Sequence, residues 1–249
     1  MDAVVITTIA ERPEYADRFH QLADSWPTFM KQDMVADALL WQVLPAFPEF
    51  QLIATIDDGQ PVARSRAIPF SRAYWCEDGR LPSGGWDQVI VWGMRDHAAG
   101  EKPDTVSALE VAVDRRYVGH GLSSRMLATL REVVAEAGFT ELVAPVRPNH
   151  KHLYPRMPMA EYVATTRGDG LPIDPWLRVH VRAGGVIDEI APTSMLVAGS
   201  LEEWRRWTDL PFAVGGPVEV PQALVPVQCD LEQDSAVYVE PNVWVRHRL

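Results

Sequence analysis

At 249 residues and 47% hydrophobic, the chain is long enough for one large domain, or a compact domain with an elaborated end, and can bury a substantial core. Its formal net charge of −11 excludes a broad nucleic-acid surface while leaving room for a local basic pocket. No apolar run reaches the roughly eighteen residues of a membrane span, and no basic-then-apolar leader opens the chain. Cys76 and Cys229 are too few for a disulfide framework and lack metal-ligand spacing, so a cytoplasmic protein with buried free thiols and no membrane or nucleic-acid partner is expected.

Residues 1–10 read as an apolar strand, followed by a turn at Pro13. Tyr15, Phe19 and Leu22 have helical spacing within 15–25, and Val35, Leu39, Leu40 and Val43 predict a second helix that Pro45 ends. Residues 50–56 read as a strand, Asp57-Asp58-Gly59 as a hairpin turn, and 61–68 as the returning strand. Arg64 and Arg66 share one face of that strand. They read either as a solvated face or as cations that meet an acidic acceptor or a carboxylated acyl group. The stretch 69–87 is a long, glycine-rich connection of the kind that is functional or mobile. Nine tryptophans are many for this size, and Trp75, Trp86 and Trp92 lie close enough in sequence for some to line a cleft. Residues 89–94 then predict a strand, and His97 falls in the polar segment DHAAGEKPD, which reads as solvated.

The most specific signal spans 111–138. Leu109, Val111 and Val113 alternate as in a strand with one buried face. A turn carrying Arg115, Arg116, Gly119 and Gly121 follows. From Leu122 the period changes, and Leu122, Met126, Leu130, Val133, Val134 and Ala137 place an apolar stripe on a helix that stops at Gly138. Glycines that let a ligand approach the backbone, unpaired amides at the helix start and two arginines make an anion site, with phosphate the expected anion. The pattern RxxGxG, from Arg116 to Gly121, is neither the dinucleotide GxGxxG nor the phosphate-loop GxxxxGK[ST], and an alternating strand at 141–146 follows the helix. On these residues the chain resembles the GNAT superfamily of acyl-CoA-dependent N-acyltransferases.

That resemblance implies an α/β (α+β) fold, with a central, mixed, mostly antiparallel twisted sheet flanked by helices and splayed fourth and fifth strands. It implies acetyl-CoA or another acyl-CoA as co-substrate, and no metal. The backbone of Val111, Ala112 and Val113 would meet the pantetheine arm, while Arg116, Val118, Gly119, His120, Gly121, Leu122 and Ser123 would hold the pyrophosphate. Glu110 points opposite to Leu109 and Val111. It is the candidate base, on the superfamily's use of a glutamate near this strand to deprotonate the acceptor amine. The two helices after the first strand match the superfamily order and would wall the acceptor site, with Arg64, Arg66 and Trp86 as substrate contacts.

In the superfamily a later helix usually ends in LYxxxGF, and its tyrosine often protonates the leaving CoA thiolate. Tyr154, in HLYPRMP, matches the first two letters, but Pro155 and Pro158 would break the helix needed after it. Residues 173–185, IDPWLRVHVRAGG, fit better: Asp174 can cap a helix, Pro175 suits its first turn and Gly184-Gly185 stop it. In that register Val179 stands at leucine, His180 at tyrosine, Gly184 at glycine and Gly185 at phenylalanine. His180 would then replace the tyrosine, as an imidazole able to give a proton to a thiolate or take one from an amine or water. The bland alternative is a half-buried histidine bonded to backbone. Residues 147–172 become an insertion beside the expected thioester, with a short helix near 158–162; His150, Lys151 and His152 within it have no metal-ligand spacing.

Towards the end, 186–190 and 195–197 predict a hairpin and Ser200 caps a short helix in LEEWRRWTDL. Residues 224–227, 236–239 and 243–246 read as short strands, with Glu240-Pro241-Asn242 interrupting the ladder. Residues 198–249 are expected to elaborate a single domain spanning 1–249, secured by Trp204 and Trp207. Arg246, His247 and Arg248 read as solvated, the alternative being phosphate binding. The expected activity is transfer of an acetyl or other short acyl group to the amine of a small-molecule acceptor, by a monomer or homodimer. The alternatives are a GNAT-like acyl-CoA decarboxylase or S-acyltransferase working with an acyl carrier protein in natural-product biosynthesis, and a noncatalytic CoA-binding module.

Overall fold

A computed structural model describes residues 4–22, 26–56, 59–76 and 79–249. Among them nine strands build one mixed, mostly antiparallel sheet: β1 (Val5–Thr8), β2 (Leu52–Ile56), β3 (Gln60–Phe70), β4 (Thr105–Val113), β5 (Glu141–Val146), β6 (Val186–Ser200), β7 (Gly216–Val218), β8 (Val227–Asp230) and β9 (Ser235–Arg248). Their order is β1-β2-β3-β4-β5-β9-β8-β7, and β6 joins by pairing with β9. Among the described residues β4 and β5 are the one parallel pair. The helices are α1 (Ala16–Gln21), α2 (Trp41–Ala46), α3 (Arg72–Trp75), α4 (Gly85–Ala99), α5 (Leu122–Glu136), α6 (Met159–Ala164), α7 (Pro175–Arg182) and α8 (Leu201–Thr208).

The hydrophobic pattern explains the layering. Every residue of β2 is buried, as is β3 from Val62 to Phe70, and unbroken burial of this kind means cover on both faces of the sheet. Helices α1, α2, α4 and α5 all pack on β3. The stripe read for α5 faces inward, with Leu122, Met126, Leu127, Leu130 and Val134 buried. Trp86, Trp92, Trp204 and Trp244 belong to the same continuous core, whereas Trp41 is exposed. No helix among the described residues is long and apolar enough to cross a membrane.

Residues 89–94 depart from the sequence expectation, because they lie within α4 and not in a strand. Val89, Ile90 and Trp92 are good strand formers. The buried positions, however, include Trp86, Val89, Ile90, Gly93 and Asp96, three or four apart, and Gly100 ends the helix in the left-handed region at φ 69°. Gly93 lets α4 lie close on β3, where an added Cβ would come within 2.7 Å of the Pro69 carbonyl oxygen. The 69–87 connection is correspondingly shorter, since β3 runs to Phe70 and α3 and the start of α4 take up part of it.

The carboxyl-terminal strands are longer than expected. β6 runs as one strand with register shifts where a hairpin was predicted, and β8 begins only at Val227. β9 passes straight through Glu240-Pro241-Asn242. Pro241 is accommodated where β9 changes neighbours, its first residues pairing with β8 and its last six with β5. Pro45 lies inside α2, one residue before its end. Residues 1–3 of the first strand, 23–25 of the first helix and Asp57 and Asp58 of the hairpin turn lie outside the described residues; Gly59 takes φ 83°.

Candidate active site

The site begins where β4 and β5 separate. They pair only at Val106 with Leu142 and Ser107 with Val143, so the edge of β4 beyond Ser107 has no partner from β5. Leu109 is the extra residue of a bulge opposite β3, since Arg66 pairs with Glu110 and Ala67 with Ala108. Its carbonyl accepts from Trp86 Nε1 at 2.9 Å. A cavity of about 160 Å³ fills the wedge, lined among others by Glu110, Val111, Trp86, Trp176, His180 and Asn242. A second cavity shares Trp26, Met30, Trp86 and Glu110 with it and adds Lys31, Asp37, Arg64 and Arg66.

Arg64 and Arg66 do not form a solvated face; both are buried and both bond Glu110. Arg64 grips the carboxylate with two parallel bonds of 3.0 Å, from Nε to Oε2 and from Nη2 to Oε1, and Arg66 Nε reaches Oε2 at 3.0 Å. Arg64 Nη1 also donates to the carbonyls of Phe19 and Leu22. This is an oriented, charge-assisted cluster at the join of the two cavities. Its three side chains together carry one positive charge.

His180 lines the first cavity too, on a helix whose start is built as read. Asp174 accepts from the amides of Trp176 and Leu177, and its other oxygen accepts from the His150 amide and the Tyr162 hydroxyl. Asp174 thereby ties α7 to the 147–172 segment. His180 is 2% exposed, meets the edge of Trp176, and lies with Nδ1 2.9 Å from Nε2 of His247. Burial, and then the neighbouring His247, push His180 down to about 3; burial, and then Arg131, push His247 down to about 4. Both rings are therefore neutral at physiological pH.

His247 corrects the expectation of a solvated carboxyl terminus, for it is fully buried. The signal was present in the alternation of β9, where Val243, Val245 and His247 share a face. Glu240 and Asn242 were also missed. Glu240 is buried and accepts from Arg147 Nε, the Tyr238 hydroxyl and Asn242 Nδ2. Asn242 accepts from Ser194 Oγ at 2.7 Å, which accepts from the Trp86 amide. Arg147 and Asn242 carry this network into the cavity lining.

At the end of β4, Asp114 opens a short 3₁₀ turn and holds Arg116 through its backbone amide and guanidinium. Gly119 and Gly121 take φ 87° and 76°, and a Cβ on either would meet nothing within 4 Å. Gly121 opens α5 without a side-chain cap, leaving the first amides of a fifteen-residue helix for a ligand. Val118, His120 and Gly121 are exposed, Leu122 is buried and Ser123 half-buried. Val111, Ala112 and Val113 pair with Ser65, Arg64 and Ala63 on their β3 side. Tyr154 is 48% exposed beside Tyr162 and does not line the cavity. Among the described residues no three His, Cys, Asp or Glu side chains gather as a metal site.

No family model matches the chain. It is 34% identical over 97% of its length to the arginine N-acetyltransferase avaD of Aspergillus versicolor, covering 93% of that protein. Its fold is similar to the loading GNATL domain of CurA from Lyngbya majuscula, with a TM-score of 0.62 and 17% identity over 99% of this chain and 98% of that one. A GphF GNAT-like decarboxylase in complex with isobutyryl-CoA gives a TM-score of 0.57 at 17% identity, again covering 99% and 98%.

Proposed function

The chain belongs to the family of the arginine N-acetyltransferase avaD and to the GNAT superfamily of acyl-CoA-using enzymes, and on that footing we propose that it transfers an acetyl or other short acyl group from acyl-CoA to a nitrogen of arginine or a similar small amine. The observation that carries this reading is the wedge between β4 and β5, whose cavity both Glu110 and His180 line. The turn at 118–123 is the proposed seat of the pyrophosphate, with unpaired α5 amides and two open glycines suited to an anion. The unpaired edge of β4 offers backbone N–H groups to the thioester carbonyl, where such donors contribute about 3–4 kcal/mol to acyl transfer.

In this reading the acceptor nitrogen attacks the thioester carbon, a C–N bond forms and the C–S bond breaks. His180, neutral and facing the cavity, takes the proton released from nitrogen on Nε2 and passes it to the departing thiolate, so that an amide and free CoA thiol result. Burial disfavours the imidazolium, so the proton does not rest on His180 and passes on to the sulfur. Glu110, held by its arginines, fixes a cluster of one net positive charge beside the acceptor chamber, which suits the carboxylate of an amino-acid acceptor. Arg64, Arg66 and Trp86 shape that chamber.

Purified protein incubated with acetyl-CoA, propionyl-CoA or malonyl-CoA and with arginine, a panel of small amines or a carrier protein tests the proposal. The expected products are an N-acylated acceptor and stoichiometric free thiol, read by mass spectrometry. Release of CO2 without an amide, or acylation confined to the carrier thiol, would overturn it.

A further inference from the structure

His180 and His247 are neutral rings with one hydrogen each, and the contact between Nδ1 of the first and Nε2 of the second holds one of them. Which ring supplies it decides what His180 offers the cavity. If His247 donates, His180 carries its own hydrogen on Nε2 and presents an N–H; if His180 donates, Nε2 presents a lone pair.

The surroundings favour the second arrangement. Nδ1 of His247 is buried and makes no hydrogen bond among the described residues, and the Ala183 carbonyl near the ring favours a proton on it. A carbonyl only accepts, and Nε2 is the nitrogen that meets His180, so the hydrogen of His247 is assigned to Nδ1 and Nε2 is left to accept from His180. The charged group facing the pair from α5 is Arg131, which donates from Nη1 and Nη2 to the Ala183 and Arg248 carbonyls while its buried Nε makes no hydrogen bond among the described residues; Glu110 lines the same cavity as His180, from β4.

The support is rigid. His247 sits on β9 opposite Leu142 of β5, while the neighbouring Arg246 pairs with Val186 of β6. The Gly184-Gly185 ending of α7 makes room for it, since a Cβ on Gly185 would lie 2.7 Å from His247 Cε1 and 2.8 Å from the His180 carbonyl. The glycine that stands at the usual phenylalanine and the histidine that stands at the usual tyrosine are thus two sides of one arrangement.

We propose that His247 is a positioning residue that holds His180 with its hydrogen on Nδ1, so that Nε2 faces the cavity as the proton acceptor of acyl transfer. This rests on the reading of His180 as the proton carrier. Long-range ¹H–¹⁵N spectra of histidine-labelled protein separate the two tautomers without any turnover, and His180 should show an unprotonated Nε2. His247→Gln keeps a carbonyl able to accept from Nδ1 and should keep that tautomer, with kcat within about threefold. His247→Leu should shift His180 towards the Nε2–H form and lower kcat about tenfold to a hundredfold, with the KM for acyl-CoA unchanged. A wild-type His180 protonated on Nε2, or a His247→Leu protein with unaltered tautomer and kcat, would overturn the assignment. Absence of acyl transfer in a protein with the expected tautomer would count against the function and leave the tautomer assignment standing.

Discussion

Glu110 is held by two arginines in a space where none of the three side chains is more than 8% exposed. Removing its charge would leave two guanidiniums buried against a neutral amide. Breaking a buried ion pair from one side costs about 3–5 kcal/mol, so Glu110→Gln should lower the urea midpoint by that equivalent; a midpoint within error of the wild type would contradict the counter-charge role. Protonating Glu110 would remove the counter-charge of two buried arginines, which is why His180 carries the proton in the proposed chemistry. The two-residue spacing of Arg64 and Arg66 was legible in the sequence. Their partner was not, because the pairing of Arg66 with Glu110 depends on a register set by strands some forty residues apart. His247 was legible in principle from the alternation of β9, but its polar neighbours Arg246 and Arg248 hid it.

At the scale of elements, the strand, turn and helix around 111–138 were readable because each signal is local: a two-residue period, two glycines, then a 3.6-residue stripe. The anion role proposed for the turn is tested by Gly119→Val and Gly121→Val. Both residues have positive φ, so a side chain costs about 1–2 kcal/mol of backbone strain, but it projects into open space and the fold should persist by circular dichroism. Acyl-CoA affinity measured by calorimetry should fall at least about tenfold, equivalent to about 1.4 kcal/mol, and undiminished binding would remove the turn as the phosphate seat. The helix α7 was legible for the same reason as α5, through its Asp-Pro start and Gly-Gly stop. The helix α4 was not, because a six-residue window of strand formers outweighed the wider spacing of Trp86, Ile90 and Gly93.

For the whole molecule, the charge buried where α4 meets β6 sets a pH response. Asp87 and Asp33 both accept from the Leu196 amide; burial, and then the charge of Asp33, push Asp87 up to about 8, and burial raises Asp33 as well. A folded value above the unfolded 3.8 makes this contribution full below about pH 4 and lost as pH rises through about 8. The depressed histidines act in the opposite sense, but only below their unfolded 6.5. Between about pH 6.5 and 8, stability should therefore fall by up to about 1.4 kcal/mol per pH unit, and Asp87→Asn should flatten that slope in urea titrations; a wild-type profile level across this window would refute the shift. The same dependence on distant neighbours separates what the sequence by itself determined from what it left open. Sequence alone determined the strand, glycine turn and helix of 111–138 and the capped helix of His180, since each follows from spacing within about fifteen residues, while the sheet class followed from the resemblance those residues carry. Only the tertiary structure decided that Glu110 is locked by Arg64 and Arg66, through the register of β3 on β4, and that His247 backs His180 and Glu240 and Asn242 support the cavity, because β9 runs along β6 with its last six residues beside β5. Local periodicity can say which face a side chain occupies, and pairing across the sheet says what it meets there.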